Sequence, residues 1–303
     1  MPSIQDTAYP RLKNNPTEKD LLPLYTPTLE ELELAKRVTM KPVTCLNFLV
    51  LLKAFQRLGY GVALVDVPAR IIRHIAMSAQ LSTTRQYLSQ YDASATRRRH
   101  LSIIRDYLQI TAFDQKAHEA MLTAFTMAVQ AKYDLVDLIN IAIEELVRQR
   151  FELPGFSTLE RTARAVRKAH LDKLYEQVSE ALMPAERQHL TNLFKASDEG
   201  TPWERLKQEP GKPLLSRLKD WTERLQWLTT FSVSSAALTG IPPIKVQQFA
   251  AEAQTLDAAC MKALPLAKQA TLAVALLTQQ YGQTLDDVTD RTYARTISSS
   301  WCS

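Results

Sequence analysis

Seven arginines fall between Asp66 and Arg105, at positions 70, 73, 85, 97, 98, 99 and 105, with no lysine and two aspartates in the same stretch. The local excess of five positive charges equals the formal net charge of the whole 303-residue chain. Arginine carries a permanent charge and a planar fork of donors that matches phosphate oxygens. The chemistry on offer is therefore recognition of a polyanion. Arg97, Arg98 and Arg99 are the sharpest case. Cations in the first turns of a helix oppose its dipole, at about 0.3–1 kcal/mol each when unpaired. Consecutive helical residues also diverge by about 100°, so the three cannot share one polar stripe. A local rule broken without visible compensation points to a missing anion, and phosphate backbone fits. The alternative is a cluster paired with carboxylates elsewhere in the fold.

Ser82, Thr83, Thr84, Arg85 and Gln86 place five hydrogen-bonding side chains at one expected helix start. In a helix-turn-helix unit that end of the second helix meets base edges. The plainer reading is a capped surface helix. Arg70, Arg73 and Arg105 extend the basic character to either side. A weaker stripe, Arg161, Arg164, Arg167 and Lys168, puts four cations on adjoining parts of one helix face, as many solvated faces do. His100 stands beside the arginine run and reads as a structural histidine more readily than as a phosphate contact.

Catalysis finds no comparable support. Glu144-Glu145 and Asp286-Asp287 are neighbours in sequence, but adjacent helical residues diverge and do not form an acid/base pair. The histidines are scattered singly, and no Ser/His/Asp or Cys/His spacing stands out. Cys45, Cys260 and Cys302 lie far apart without a CxxC pair, which fits reduced thiols better than a disulfide framework or a zinc site. No catalytic residue, metal ligand or cofactor is assigned.

The elements that must carry these residues are helical. Seven glycines in 303 residues is about a third of average usage, which disfavours tight hairpins and glycine-rich phosphate loops. The expected fold is all-α and multi-helix, with a helix-turn-helix-like unit in the N-terminal half. Thr28 with Glu31 predicts a capping box. Pro42 precedes a helix ended by Gly59 and Gly61, and Pro68 falls in the first turn of the next. Ser82 is expected to cap a short helix to about Gln90, and Asp92 or Ser94 another to Leu108. Two amphipathic helices follow at about 115–131 and 135–150. Leu153-Pro154-Gly155 stops the second, and Ser157 with Glu160 predicts a further capping box. The expected organisation is a loosely docked N-terminal arm (1–25), a helical DNA-binding domain (26–170), a second helical domain (171–290) and an irregular tail (291–303).

Apolar residues at 46% and charged residues at 23% suit a globular protein. The polar N-terminus lacks the apolar run of a signal peptide. The longest apolar stretch, 46–55, is too short to span a bilayer and contains Lys53. A soluble, cytoplasmic protein with no membrane partner is expected.

The segments LLKAFQRLGYGVALVDVP (51–68), IIRHIA (71–76), RRRHLSIIRDYL (97–108) and DLINIAIEELVRQRFELPGFSTLERTAR (137–164) resemble the N-terminal region of replicative transposases of the Tn-three family. WERLKQEP (203–210) and LDAACM (256–261) are similar to the segment that follows it, so the resemblance covers about 25–288. In that family the N-terminal region is helical and binds the terminal inverted repeats. The catalytic domain, ribonuclease-H-like with two aspartates and a glutamate holding metal, lies far downstream. The resemblance therefore implies duplex DNA carrying an inverted repeat as partner, with intact transposase subunits as a second. Family members run on for several hundred residues and the match fades from about Arg291, so a truncated copy without cleavage or strand-transfer activity is expected. The rival reading is a helical protein-interaction module without DNA specificity of its own.

Overall fold

Thr28 opens its helix in the way its spacing to Glu31 requires. The Thr28 hydroxyl accepts from Glu31 N, and the Glu31 carboxylate accepts from Thr28 N at 2.8 Å, closing a capping box. The computed structural model describes residues 3–82, 88–196, 200–208, 218–231 and 235–300, with side chains to 289 in the last helix. Among the described residues the chain is all-α. In order the helices are α1 (Glu18–Tyr25), α2 (Leu29–Val38), α3 (Pro42–Leu58), α4 (Ala69–Ser78), α5 (Leu88–Asp92), α6 (Ala95–Leu108), α7 (Gln115–Ala131) and α8 (Leu135–Arg148). They continue with α9 (Phe156–Ala181), α10 (Pro184–Asn192), α11 (Pro202–Lys207), α12 (Leu218–Thr229), α13 (Pro243–Thr255), α14 (Ala258–Lys262) and α15 (Leu266–Ser300). A parallel bridge pairs Thr111 with Phe151.

The chain divides into two units, Met1–Arg167 and Lys168–Ser303, with the division inside α9. In the first unit α3 is apolar on all sides and becomes the central post, as a helix without a polar face must. Phe48, Leu49, Leu51, Leu52 and Phe55 are fully buried. Helices α1, α2, α4 and α6 pack around it. Each such side chain removed from water contributes about 1.5–3 kcal/mol. Lys53, the one charge of the apolar stretch, is buried in this core against Glu31 of α2 at 3.2 Å. A second core joins α7 and α8 through Met121, Phe125, Leu138, Ile139 and Leu146. In the second unit α13 and α12 pack on α15, whose residues 271–276 are buried throughout, around Trp203 and Phe249.

Several boundaries differ from expectation. Residues 3–25 are anchored to the fold at several points and are not loosely docked. Tyr9 stacks on Tyr60 at 5.2 Å and its hydroxyl donates to the Pro154 carbonyl at 2.9 Å. Leu21 and Tyr25 of α1 enter the α3 core. Pro68 stands as N-cap, one residue ahead of α4. Helix α9 begins at Phe156, so Ser157 lies inside the first turn and cannot act as its cap. Glu160 instead accepts from Arg164 at 2.7 Å. Helix α15 runs to Ser300, through most of the segment expected to be an irregular tail. No helix among the described residues is long and apolar enough to cross a membrane.

Candidate nucleic-acid interface

Ser94 supplies the N-cap of α6, its hydroxyl accepting from Arg97 N at 3.2 Å. Of the two candidate caps, Asp92 is released for other work. Its carboxylate accepts Leu64 N at 2.9 Å and Val65 N at 3.2 Å, tying down the later part of the 59–67 loop. Arg97 Nε lies 3.4 Å from the same carboxylate, and its Nη2 donates to the carbonyls of Gly61 and Val62 at 3.2 and 3.0 Å. A side chain at Gly61 would crowd this latch, since a Cβ there would stand 2.9 Å from Leu101. Arg105, two turns on, donates to Glu152 at 2.8 Å, and Glu152 also accepts Gly61 N at 3.2 Å.

The three consecutive arginines therefore separate. Arg97 is half-buried and compensated within the fold, which corrects the expectation of three uncompensated cations. Arg98 and Arg99 are exposed and have no carboxylate partner among the described residues. They share the solvent face of α6 with Ser102 and Asp106, at helical spacings of three, four and seven. On α4, Ile71, Ile72, Ile75 and Ala76 turn inward while Arg70 and Arg73 stay exposed and free of ion pairs among the described residues. Both helices pack against α3. Four arginines with unsatisfied charge thus stand on its two neighbours, a concentration suited to phosphate.

The remaining candidates fall elsewhere. Ser82 is exposed; Thr83, Thr84, Arg85 and Gln86 lie outside the described residues. On α9, Arg164 pairs with Glu160 at 2.7 Å, Lys168 with Asp172 at 3.4 Å, and Arg167 stacks over the Tyr133 ring at 4.4 Å. Only Arg161 of that stripe is exposed without an ion pair among the described residues. Carboxylate pairs at i,i+4 are the mark of a solvated helix face. Asp92, Glu152 and Gly61 carry the architecture of the site, and the sequence marks none of the three for that role. Apart from the pairing of Asp92 with Arg97, their partners lie 27 to 91 residues away, beyond any helical period.

His100 is fully buried, so it cannot reach a phosphate in this fold. Its Nδ1 shares a 2.7 Å hydrogen bond with the Tyr91 hydroxyl, and its ring meets Phe48 edge-on. Burial, and then the neighbouring Arg99 charge, push its pKa from the ordinary 6.5 to about 4. Above pH 6.5 the ring is neutral in both folded and unfolded chains. Between 6.5 and about 4 the unfolded chain takes up a proton that the folded one refuses, so stability falls with pH. The loss is expected to reach about 3 kcal/mol near pH 4. Urea unfolding at pH 7 and pH 4.5 checks it; His100→Gln should flatten the difference, and an equal slope in both proteins would refute the assignment.

Among the described residues no three of His, Cys, Asp and Glu stand together as a metal site. The geometry is that of a helical unit with exposed arginines on α4 and α6. The chain belongs to the family described as Domain of unknown function (DUF4158), which matches residues 1–166. It is similar to the transposase for transposon Tn21 of Escherichia coli, 29% identical over 200 residues that cover 64% of this chain and 20% of the relative. It is also similar to the transposase for transposon Tn501 of Pseudomonas aeruginosa, 26% identical over 216 residues, 69% of this chain and 21% of that protein. The chain spans about a fifth of the length of these curated relatives. The matched part is a transposase-related N-terminal region.

Proposed function

We propose that this chain binds the terminal inverted repeats of a transposon as the DNA-recognising, non-catalytic N-terminal part of a transposase. The observation that carries the reading is the set of four exposed, unpaired arginines, Arg70, Arg73, Arg98 and Arg99, on two helices of a transposase-related unit. In this reading Arg85 and Gln86, which fall between α4 and α5 in the sequence, contact the bases in the manner of a helix-turn-helix unit. Arg98 and Arg99 hold phosphates from the start of α6, and Arg70 and Arg73 extend the contact along α4. The stripe from Arg161 to Lys168 adds at most Arg161, because its neighbours are already paired. Arg97 and Arg105 serve the fold and leave the DNA to others. The partner is duplex DNA, and intact transposase subunits at the same ends are a second partner.

Phosphate neutralisation releases condensed counterions, so log affinity should fall against log salt with a slope of about −4 for four contacts. Fluorescence anisotropy on a duplex carrying the element's inverted repeat, beside a scrambled duplex, measures it. Steep salt dependence with preference for the repeat is expected. Weak, salt-insensitive binding that is equal on both duplexes would overturn the reading and favour a protein-interaction module, for which the exposed helix faces would be the evidence.

A further inference from the structure

Asp92 is an acidic residue one turn before a basic face, the place where a DNA-binding surface gains least from a negative charge. It is nevertheless the hub of that surface. One carboxylate receives two loop amides, Leu64 N and Val65 N, and stands against the Arg97 guanidinium. Arg97 in turn reaches the two carbonyls at the other end of the same loop, Gly61 and Val62. The loop is thereby held at two points, by the last residue of α5 and by the first turn of α6. Leu101, one turn further, closes against Gly61. The buried stripe of His100, Leu101 and Ile104 already turns the side of α6 that carries Arg97 inward, and the latch secures that rotation in the first turn, ahead of the stripe. With Arg97 drawn inward, residues 98 and 99 are turned out, at about 100° and 200° from it.

We infer that Asp92, through Arg97, is a positioning residue for DNA binding. It holds the rotation of α6 at which Arg98 and Arg99 face the phosphates, and it never touches the nucleic acid. The inference rests on the DNA-binding reading above and adds to it a sign. Removing a carboxylate close to a phosphate-binding face strengthens binding if the carboxylate acts only by its charge. It weakens binding if the carboxylate holds the cations in place.

Asp106 provides the matched control. It lies on the exposed face of α6 with Arg98 and Arg99 and has no ion pair among the described residues. Asp106→Asn changes the net charge by the same amount as Asp92→Asn and leaves the latch intact. Anisotropy titrations of the full chain and both variants on the inverted-repeat duplex, across roughly 0.05–0.3 M salt, compare them. Asp106→Asn is expected to bind up to a few-fold tighter with an unchanged slope. Asp92→Asn is expected to bind about eightfold weaker at 0.1 M for each phosphate it no longer holds, with a slope shallower by about one per phosphate. Tighter binding by both variants alike would overturn the positioning role and leave the DNA reading standing.

Amide exchange at Leu64 and Val65 reads the latch without DNA. It should be slow in the wild type and in Asp106→Asn, and fast in Asp92→Asn; slow exchange in Asp92→Asn overturns the latch. Should Asp92→Asn fail to fold, Arg97→Lys gives the same test. Lysine keeps the charge, but its single ammonium cannot meet the two carbonyls and the Asp92 carboxylate from separate nitrogens as Arg97 does through Nη2 and Nε, so its affinity is expected to drop as for Asp92→Asn. Wild-type affinity in Arg97→Lys would overturn the inference. Salt-insensitive binding by the wild type itself would overturn both readings, whatever the exchange rates show.

Discussion

Replacing Arg98 and Arg99 together by alanine is expected to weaken binding to the inverted-repeat duplex about sixtyfold at 0.1 M salt. The figure follows from counterion release. Each phosphate held contributes a slope of about −0.9, hence a factor of about eight at 0.1 M relative to 1 M, and two such factors multiply. The salt slope should become shallower by about two. Folding should be untouched or slightly improved, since both side chains are exposed and unpaired among the described residues. Alanine is also the better helix former and no longer opposes the dipole at the start of α6. Binding and stability therefore separate in this variant.

They should not separate for Arg105→Ala, which strips Glu152 of its guanidinium partner and disturbs the Gly61 amide bound to the same carboxylate. There the thermal midpoint is expected to fall while the salt slope stays near the wild-type value. Anisotropy across a salt series, read beside a thermal melt, distinguishes the two arginine classes. Equal losses of slope in both variants would mean that the contrast between exposed and latched arginines has no bearing on DNA binding.

That contrast marks the limit of what the sequence could show. Local features were legible because their causes are local. The box between Thr28 and Glu31 spans three residues, and α7 begins and ends where its apolar period does. The cation run was also legible, together with the conclusion that three consecutive arginines must diverge. Which of them turns inward was not. The answer depends on carbonyls at Gly61 and Val62, 36 and 35 residues earlier, brought near by the packing of α6 on α3. The box expected from Ser157 and Glu160 does not form because α9 starts two residues sooner and Glu160 has a closer partner in Arg164. The arginines of α9 met the ordinary fate of a solvated stripe, pairing at i,i+4. A pattern of charges in sequence states how much charge a face holds; only the fold states how much of it is already spent.

Lys53 shows the same principle inside the core, where its consequence for stability is greatest. In sequence it is the one polar interruption of an apolar helix. In the fold it meets Glu31, 22 residues away on α2, with both side chains more than nine-tenths buried. Glu31 is held further by Gln56 at 2.6 Å and by the Thr28 amide at 2.8 Å. The two partners are therefore not equivalent. Glu31→Ala leaves an ammonium in an apolar core and also opens the capping box of α2. The expected cost is about 3–5 kcal/mol. Lys53→Met puts an apolar chain of similar length into an apolar site and leaves Glu31 with two of its donors, so a smaller loss is expected. The double variant Glu31→Leu with Lys53→Met should recover most of the loss, since a well-packed apolar pair often matches a buried ion pair.

Urea unfolding followed by far-UV circular dichroism measures all three. All four tryptophans, at 203, 221, 227 and 301, belong to the Lys168–Ser303 unit, so their emission reports on that unit alone. A fall in the dichroism midpoint for Glu31→Ala, largely restored in the double variant, is the expected pattern. A loss in the double variant as large as in Glu31→Ala would mean that the ion pair itself, and not relief of an unpaired buried charge, sustains the packing of α2 on α3.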